Sequence, residues 1–251
     1  MTTFLSLCFL FFVGSCLGWC IEVVFRRFVS AKKWINPGFL TGPYLPIYGF
    51  GLVGLYSVCA IPVQTGSGWG DALVTILIMG VIMTAIEYVA GLIFIKGMKI
   101  KLWDYSNQPG NVQGIICPLF SLIWTAAGAA YYFVIDPFVI GWVEWFVSNI
   151  AFSFVVGIFF GVLFVDIASA VNLSVRIRAF AKQYDIVVAY EKLKLSIRRR
   201  YEEAHDPLIS EGKKFKKPGF LFAFRSYRNL EDDLKDYSDG DSQNKDDDTS
   251  L

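Results

Sequence analysis

Three carboxylates, Glu22, Glu87 and Asp166, sit inside stretches that are otherwise almost wholly apolar. A charged side chain in a membrane helix is costly, so such acids face protein or a water-filled cavity and find partners there. Glu22 has Arg26 four residues on, the spacing of an ion pair along one helix face. Glu87 has no basic residue three or four positions away on either side, so its partners must come from other helices. Asp166 lies toward the end of its apolar run, where it can reach the interface. Such acids serve as general acid and base, or as counter-charges to a cation that neighbouring aromatic rings also attract. Asn36, Trp103, Asp104, Tyr105 and Asn111 lie in the segments joining the apolar runs. With the three acids they form a candidate polar vestibule, centred on Glu87, Trp103, Asp104 and Tyr105. No catalytic constellation accompanies them, and no cofactor is expected. The five cysteines (Cys8, Cys16, Cys20, Cys59 and Cys117) read as packing residues in apolar runs. His205 is the single histidine, so no metal set is expected.

The elements that position these residues follow from the distribution of apolar residues. Of 251 residues, 55% are hydrophobic, and they come in blocks. A hydrocarbon core of roughly 30 Å needs about 20 apolar residues in a helix. Five runs approach that length, at about residues 4–25, 44–61, 72–95, 112–135 and 146–171. Short alternating strands, the mark of a barrel, are absent from the pattern. The expectation is an all-α polytopic membrane protein with five transmembrane helices. Small residues mark the helix contacts. Gly14 and Gly18 share a stripe with Glu22, and Gly80 and Gly91 share one with Thr84 and Glu87. Gly157 and Gly161 continue such a stripe from Ser153.

Charge gives the orientation. The first loop carries Arg26, Arg27, Lys32 and Lys33, and the third carries Lys96, Lys99 and Lys101. The second and fourth loops have no Lys or Arg, and Arg176, Arg178 and Lys182 follow the fifth run. The positive-inside rule therefore predicts a multi-pass cell-membrane protein with its N-terminus outside and its C-terminus cytoplasmic. The first run lacks a basic n-region and a small-residue cleavage site, so it reads as a retained helix. Residues 1–172 form the expected transmembrane domain. Residues 173–230 read as a cytoplasmic basic helical segment continuing from helix five. Within it, Lys213, Lys214, Lys216 and Lys217 beside Phe220 and Phe222 suit anionic lipid headgroups. Residues 231–251 are acidic and poor in apolar side chains, the composition of a disordered tail. Bilayer lipid is the expected surrounding, and no nucleic-acid partner is indicated.

The two long basic loops share a plan. Asn36 precedes Pro43 by seven residues, and Asn111 precedes Pro118 by seven. Each pair follows a helix with one glutamate, so a parallel repeat of two helices is a further expectation. Proline suits a first helical turn, where its missing donor is not needed.

The motifs Leu17-Gly18-Trp19 with Glu22, Gly38-Phe39-Leu40 with Gly42-Pro43, and Pro46-Ile47-Tyr48-Gly49-Phe50-Gly51 carry a resemblance. So do Glu87, Leu102-Trp103-Asp104-Tyr105-Ser106, and Asn111 with Gly114. Together they make residues 5–170 similar to the putative ABC-transporter type IV family, small membrane proteins of permease type. Pro37 departs from the basic residue expected there. The resemblance implies a transporter permease component. The chain has no Gly-x-x-x-x-Gly-Lys-Ser/Thr loop for nucleotide phosphates, so an ATPase subunit is expected in trans. Five helices are few for a translocation path, which points to a homo-oligomer. The alternatives are a membrane-embedded enzyme for a lipid or amphipathic substrate, with Asp104, Glu87 and Glu22 as acid and base, or a regulatory membrane scaffold.

Overall fold

The computed structural model describes residues 2–29, 32, 34–183, 188–189 and 193. It is helical throughout, apart from a two-residue parallel pairing of Ile100–Lys101 with Val188–Ala189. Helix α1 is Thr2–Phe28, α2 is Pro46–Cys59, and α3 is Gly68–Gly91, continued by a π-helix over Leu92–Met98. Helix α4 is Pro118–Ala130, followed by a π-turn (Tyr131–Ile135) and α5 (Asp136–Ser148). After a short 3-10 turn, α6 runs over Ser153–Gln183.

Four stretches are long and apolar enough to cross a membrane: Thr3–Phe28, Gly68–Met98, Pro118–Ser148 and Ile150–Asn172. The expected second span is shorter. Helix α2 has 14 residues, about 21 Å at the α-helical rise, against a hydrocarbon core of roughly 30 Å. Pro46 sets its start and Pro62 follows its end.

The fourth and fifth runs are divided differently from the expectation. Residues 112–117 belong to the loop, where Val112 and Ile116 form an isolated bridge. The helix then continues without a break through 136–145, the stretch read from sequence as a loop. Asp136 and Pro137 suggest a break, yet Pro137, in the first turn of α5, directly follows a π-turn whose wider winding accommodates its ring and its missing N–H. The preceding π-turn supplies the local change of pitch. Helices α4 and α5 also have different neighbours. Gly80 and Gly128 bring α4 against α3, through Thr125 and Met79. On α5, Phe146 stacks on Phe9 of α1, with ring centroids 4.6 Å apart. The true break falls at Asn149.

Helix α1 runs antiparallel to α2 at close range. A Cβ at Gly14 would meet Leu52 and the Tyr48 carbonyl at 2.9 Å, and one at Gly18 would run into the Tyr48 ring. Gly80 is equally filled by Thr125, and Gly91 by Ile115. These four glycines thus face a close neighbour, which for Gly91 is the loop residue Ile115. Gly157 and Gly161 do not: space for a Cβ is open at both. Their helix turns Phe154, Ile158, Val162, Phe164 and Val165 outward, an apolar exterior of the kind lipid covers. The main core joins α1, α2, α3, α5 and α6 through Phe9, Leu10, Leu55, Met79, Phe146 and Val156.

The helix that follows the fifth run continues to Gln183. The remainder of the expected basic segment, and the acidic tail over 231–251, lie outside the described residues.

Candidate functional site

The two basic loops lie at one end of the bundle, and between them and the helices they join is a cavity of about 210 Å³. Both glutamates line it. Glu22 arrives on α1 and Glu87 on α3, while Asn36, Trp103 and Tyr105 come from the loops. Met83, Ile86, Ile47 and Leu45 make much of the remaining wall apolar.

Glu87 is 4% exposed. The Tyr105 hydroxyl donates to its Oε1 at 3.0 Å, and the Trp124 indole donates to its Oε2 at 3.0 Å. Both partners come from other elements, as the absence of a local cation required. Neither brings a charge. Burial and the adjacent Glu87 charge push the Tyr105 hydroxyl well above its usual range, so it stays protonated and keeps donating. Its ring stacks on Phe120 at 4.2 Å, which fixes the direction of that bond.

Glu22 is held differently. Arg26 Nε donates to Oε1 at 3.0 Å, and the Tyr48 hydroxyl donates to Oε2 at 2.9 Å. The salt bridge expected from the four-residue spacing is therefore present, and Arg26 joins the cavity wall.

The first loop is held over the cavity by a chain of side chains. Trp19 Nε1 donates to Asn36 Oδ1 at 2.7 Å, and Asn36 Nδ2 donates to the Thr41 carbonyl at 3.0 Å. Thr41 is in turn fixed by Asp166. That carboxylate accepts from the Thr41 and Gly42 backbone N–H groups and from the Thr41 and Tyr44 hydroxyls, at 2.6–3.2 Å. Asp166 is thus buried, fully partnered and away from the cavity wall. It ties the loop to α6.

Two further candidates also serve the loops rather than the wall. Asp104 accepts from Lys101 at 2.8 Å and from the Ser106 N–H at 3.0 Å. Burial raises its pKa, but bonds from Lys101 and Ser106 outweigh that and hold the carboxyl below its usual range. Asn111 donates to the Ser106 and Gln108 carbonyls and accepts from the Gly114 N–H. Gly114 has φ +68, and a Cβ there would strike Ser106, so this turn requires glycine. Of the eight vestibule candidates, five line the cavity and three shape the loops around it: Asp166, Asp104 and Asn111.

Tyr48 and Trp124 were not singled out from sequence, yet each completes one glutamate. A tryptophan in an apolar run needs an acceptor for its indole N–H, and Glu87 was the acid left without a local partner. That pairing of needs is the signal that could have pointed to Trp124. Among the described residues, no group of three or more His, Cys, Asp or Glu side chains is arranged to hold a metal ion.

Residues 9–171 match the family model described as Putative ABC-transporter type IV. No curated protein and no solved structure matches the chain. The match begins and ends within a few residues of the motif-bearing segment, takes in both cavity-lining glutamates and both loops, and covers well over half of the sequence. The chain belongs to the Putative ABC-transporter type IV family.

Proposed function

We propose that this protein is the membrane-spanning permease component of a transporter whose ATPase is a separate subunit, and that the cavity between the basic loops receives the substrate. The observation that carries the reading is the placement of the two glutamates. They stand on α1 and α3, the first helices of two antiparallel pairs, α1–α2 and α3–α4, and face one cavity. Any movement of one pair against the other alters the cavity's shape and the separation of its charges, which is what alternating access requires. Family membership supports the transport reading.

In this reading the loops of residues 29–45 and 99–117 face the cytoplasm and the N-terminus lies outside. Their lysines and arginines support that orientation. Helix α2 and its flanking residues make the short fifth crossing, so the cavity opens toward the side where an ATPase docks. The chain works as a homo-oligomer in the cell membrane, with anionic lipid gathered at the basic segment after α6.

Native purification followed by mass spectrometry should recover an ATPase subunit. Proteoliposomes holding both should then move substrate only with ATP. Recovery of no ATPase, together with a lipid-modifying activity in the purified chain, would replace this reading with the enzymatic one. The orientation is tested separately. A cysteine introduced at Gly68 should react with an impermeant thiol reagent from outside, and one at Lys101 should not.

A further inference from the structure

The charges and surfaces of the cavity specify what it accepts. Arg26 pairs with Glu22 at 3.0 Å, whereas among the described residues Glu87 is met only by the neutral donors Tyr105 and Trp124. With Glu87 ionised, the described wall therefore carries one net negative charge, placed on its most buried acid. An ionised carboxylate in such surroundings is costly without a counter-charge, and its hydrogen bonds leave that charge in place. Trp103, Tyr105 and Trp124 border the same space, and aromatic rings attract cations. Most of the rest is Met83, Ile86, Ile47 and Leu45, which favours an apolar body over a hydrated inorganic ion.

We infer that the cavity binds a small monovalent organic cation with an apolar body, a protonated or quaternary amine, with Glu87 as its counter-charge. This rests on the cavity being the substrate site and adds the substrate class. Arg26 bounds the class. It confines the free negative charge to the Glu87 side, so a monocation fits and a dication meets repulsion on the Glu22 side.

The probe is benzyltrimethylammonium, titrated calorimetrically into the full-length protein in lipid nanodiscs. It is compared with the uncharged neopentylbenzene and with benzoate. The cation should bind at least about tenfold more tightly than either. Glu87→Gln preserves shape and one acceptor oxygen, removes the charge, and should weaken the cation by about tenfold or more. Arg26→Gln leaves Glu22 charged and should tighten it several-fold, an improvement that mere disruption of the fold does not produce. Equal binding of the neutral isostere, tighter binding of benzoate, or an unchanged affinity in Glu87→Gln would overturn the inference. Tighter benzoate would do so while leaving the cavity as the substrate site. Glu87-dependent cation binding without ATP-driven movement would uphold the inference and remove the transport reading instead.

Discussion

The α1–α2 and α3–α4 pairs are built alike and charged differently. Each is an antiparallel pair closed by glycines, with a long loop at the same end and one glutamate facing the cavity. A tyrosine hydroxyl donates to the glutamate in both, from Tyr48 in the first and Tyr105 in the second. The remaining oxygen distinguishes them. Arg26 takes it in the first pair and Trp124 in the second. A guanidinium cancels a charge, and an indole only solvates it. The same scaffold thus yields one closed ion pair and one charged centre available to a ligand. The matched spacing of Asn36 to Pro43 and Asn111 to Pro118 is not matched in structure, since Pro118 opens α4 while α2 opens at Pro46, and the asparagines differ in use. Asn36 reaches the cavity, and Asn111 stays within its own loop.

The sharpest contrast should come from the acids themselves. Glu87→Gln should lower transport or ligand binding by about tenfold or more, because the net charge is lost while the side chain keeps its shape and one acceptor oxygen. Insertion and oligomeric state, read by gel filtration in detergent, should remain normal. Glu87→Ala strands the Tyr105 hydroxyl and the Trp124 indole, at about 1–3 kcal/mol each, so it should also lower thermal stability. If Glu87→Gln is as active as wild type, the two pairs do not differ in the way described.

Asp166 should rank next, through stability. Asp166→Asn weakens a carboxylate cluster that fixes Thr41, Gly42 and Tyr44, at an expected cost of about 2 kcal/mol. Its measurement is thermal unfolding in detergent. An unfolding temperature equal to that of wild type would remove its anchoring role.

The glycines separate filled contacts from open ones. Gly18→Ala drives a methyl into the Tyr48 ring, and Gly80→Ala drives one into Thr125, each costing about 1–3 kcal/mol by overpacking. Gly157→Ala and Gly161→Ala meet open space and should stay within about 0.5 kcal/mol of wild type. A large loss at Gly157 would indicate a further chain packed on α6.

Asp104 should give the smallest effect. Its pair with Lys101 is exposed, so Asp104→Asn should cost no more than about 1 kcal/mol. Its folded pKa is depressed. Its stabilising contribution is therefore present above the ordinary aspartate range and lost as pH falls through the lower folded value. Wild type and Asp104→Asn should accordingly converge in stability at acid pH.

Much of the helical plan was legible because apolar run length is a local property of the sequence. Glu22 with Arg26 was legible for the same reason, since four residues of helix bring them together. Tyr105 beside Glu87 was legible as part of a loop lying near an acid that lacked a local partner. Trp124 depends on how α4 sits against α3, which no spacing within α4 reveals. The continuous helix through Asp136 and Pro137 was obscured because proline reads alike in a loop and in a first turn. Gly157 and Gly161 have helix-contact spacing, but spacing alone does not supply a neighbour. Asp166 was grouped with the vestibule acids because it lies in an apolar run, and only the fold shows that the first loop saturates it.

The charge of the cavity can be read without knowing its ligand. A cysteine at Ile86, on the cavity wall, would be labelled from the loop side with a trimethylammonium-bearing or a sulfonate-bearing methanethiosulfonate reagent. The account predicts that the cationic reagent reacts about tenfold faster, and that adding Glu87→Gln abolishes the difference while Glu22→Gln/Arg26→Gln preserves it. Equal rates for the two reagents, or a preference that survives Glu87→Gln, would contradict the claim that Glu87 is the charged centre of the site.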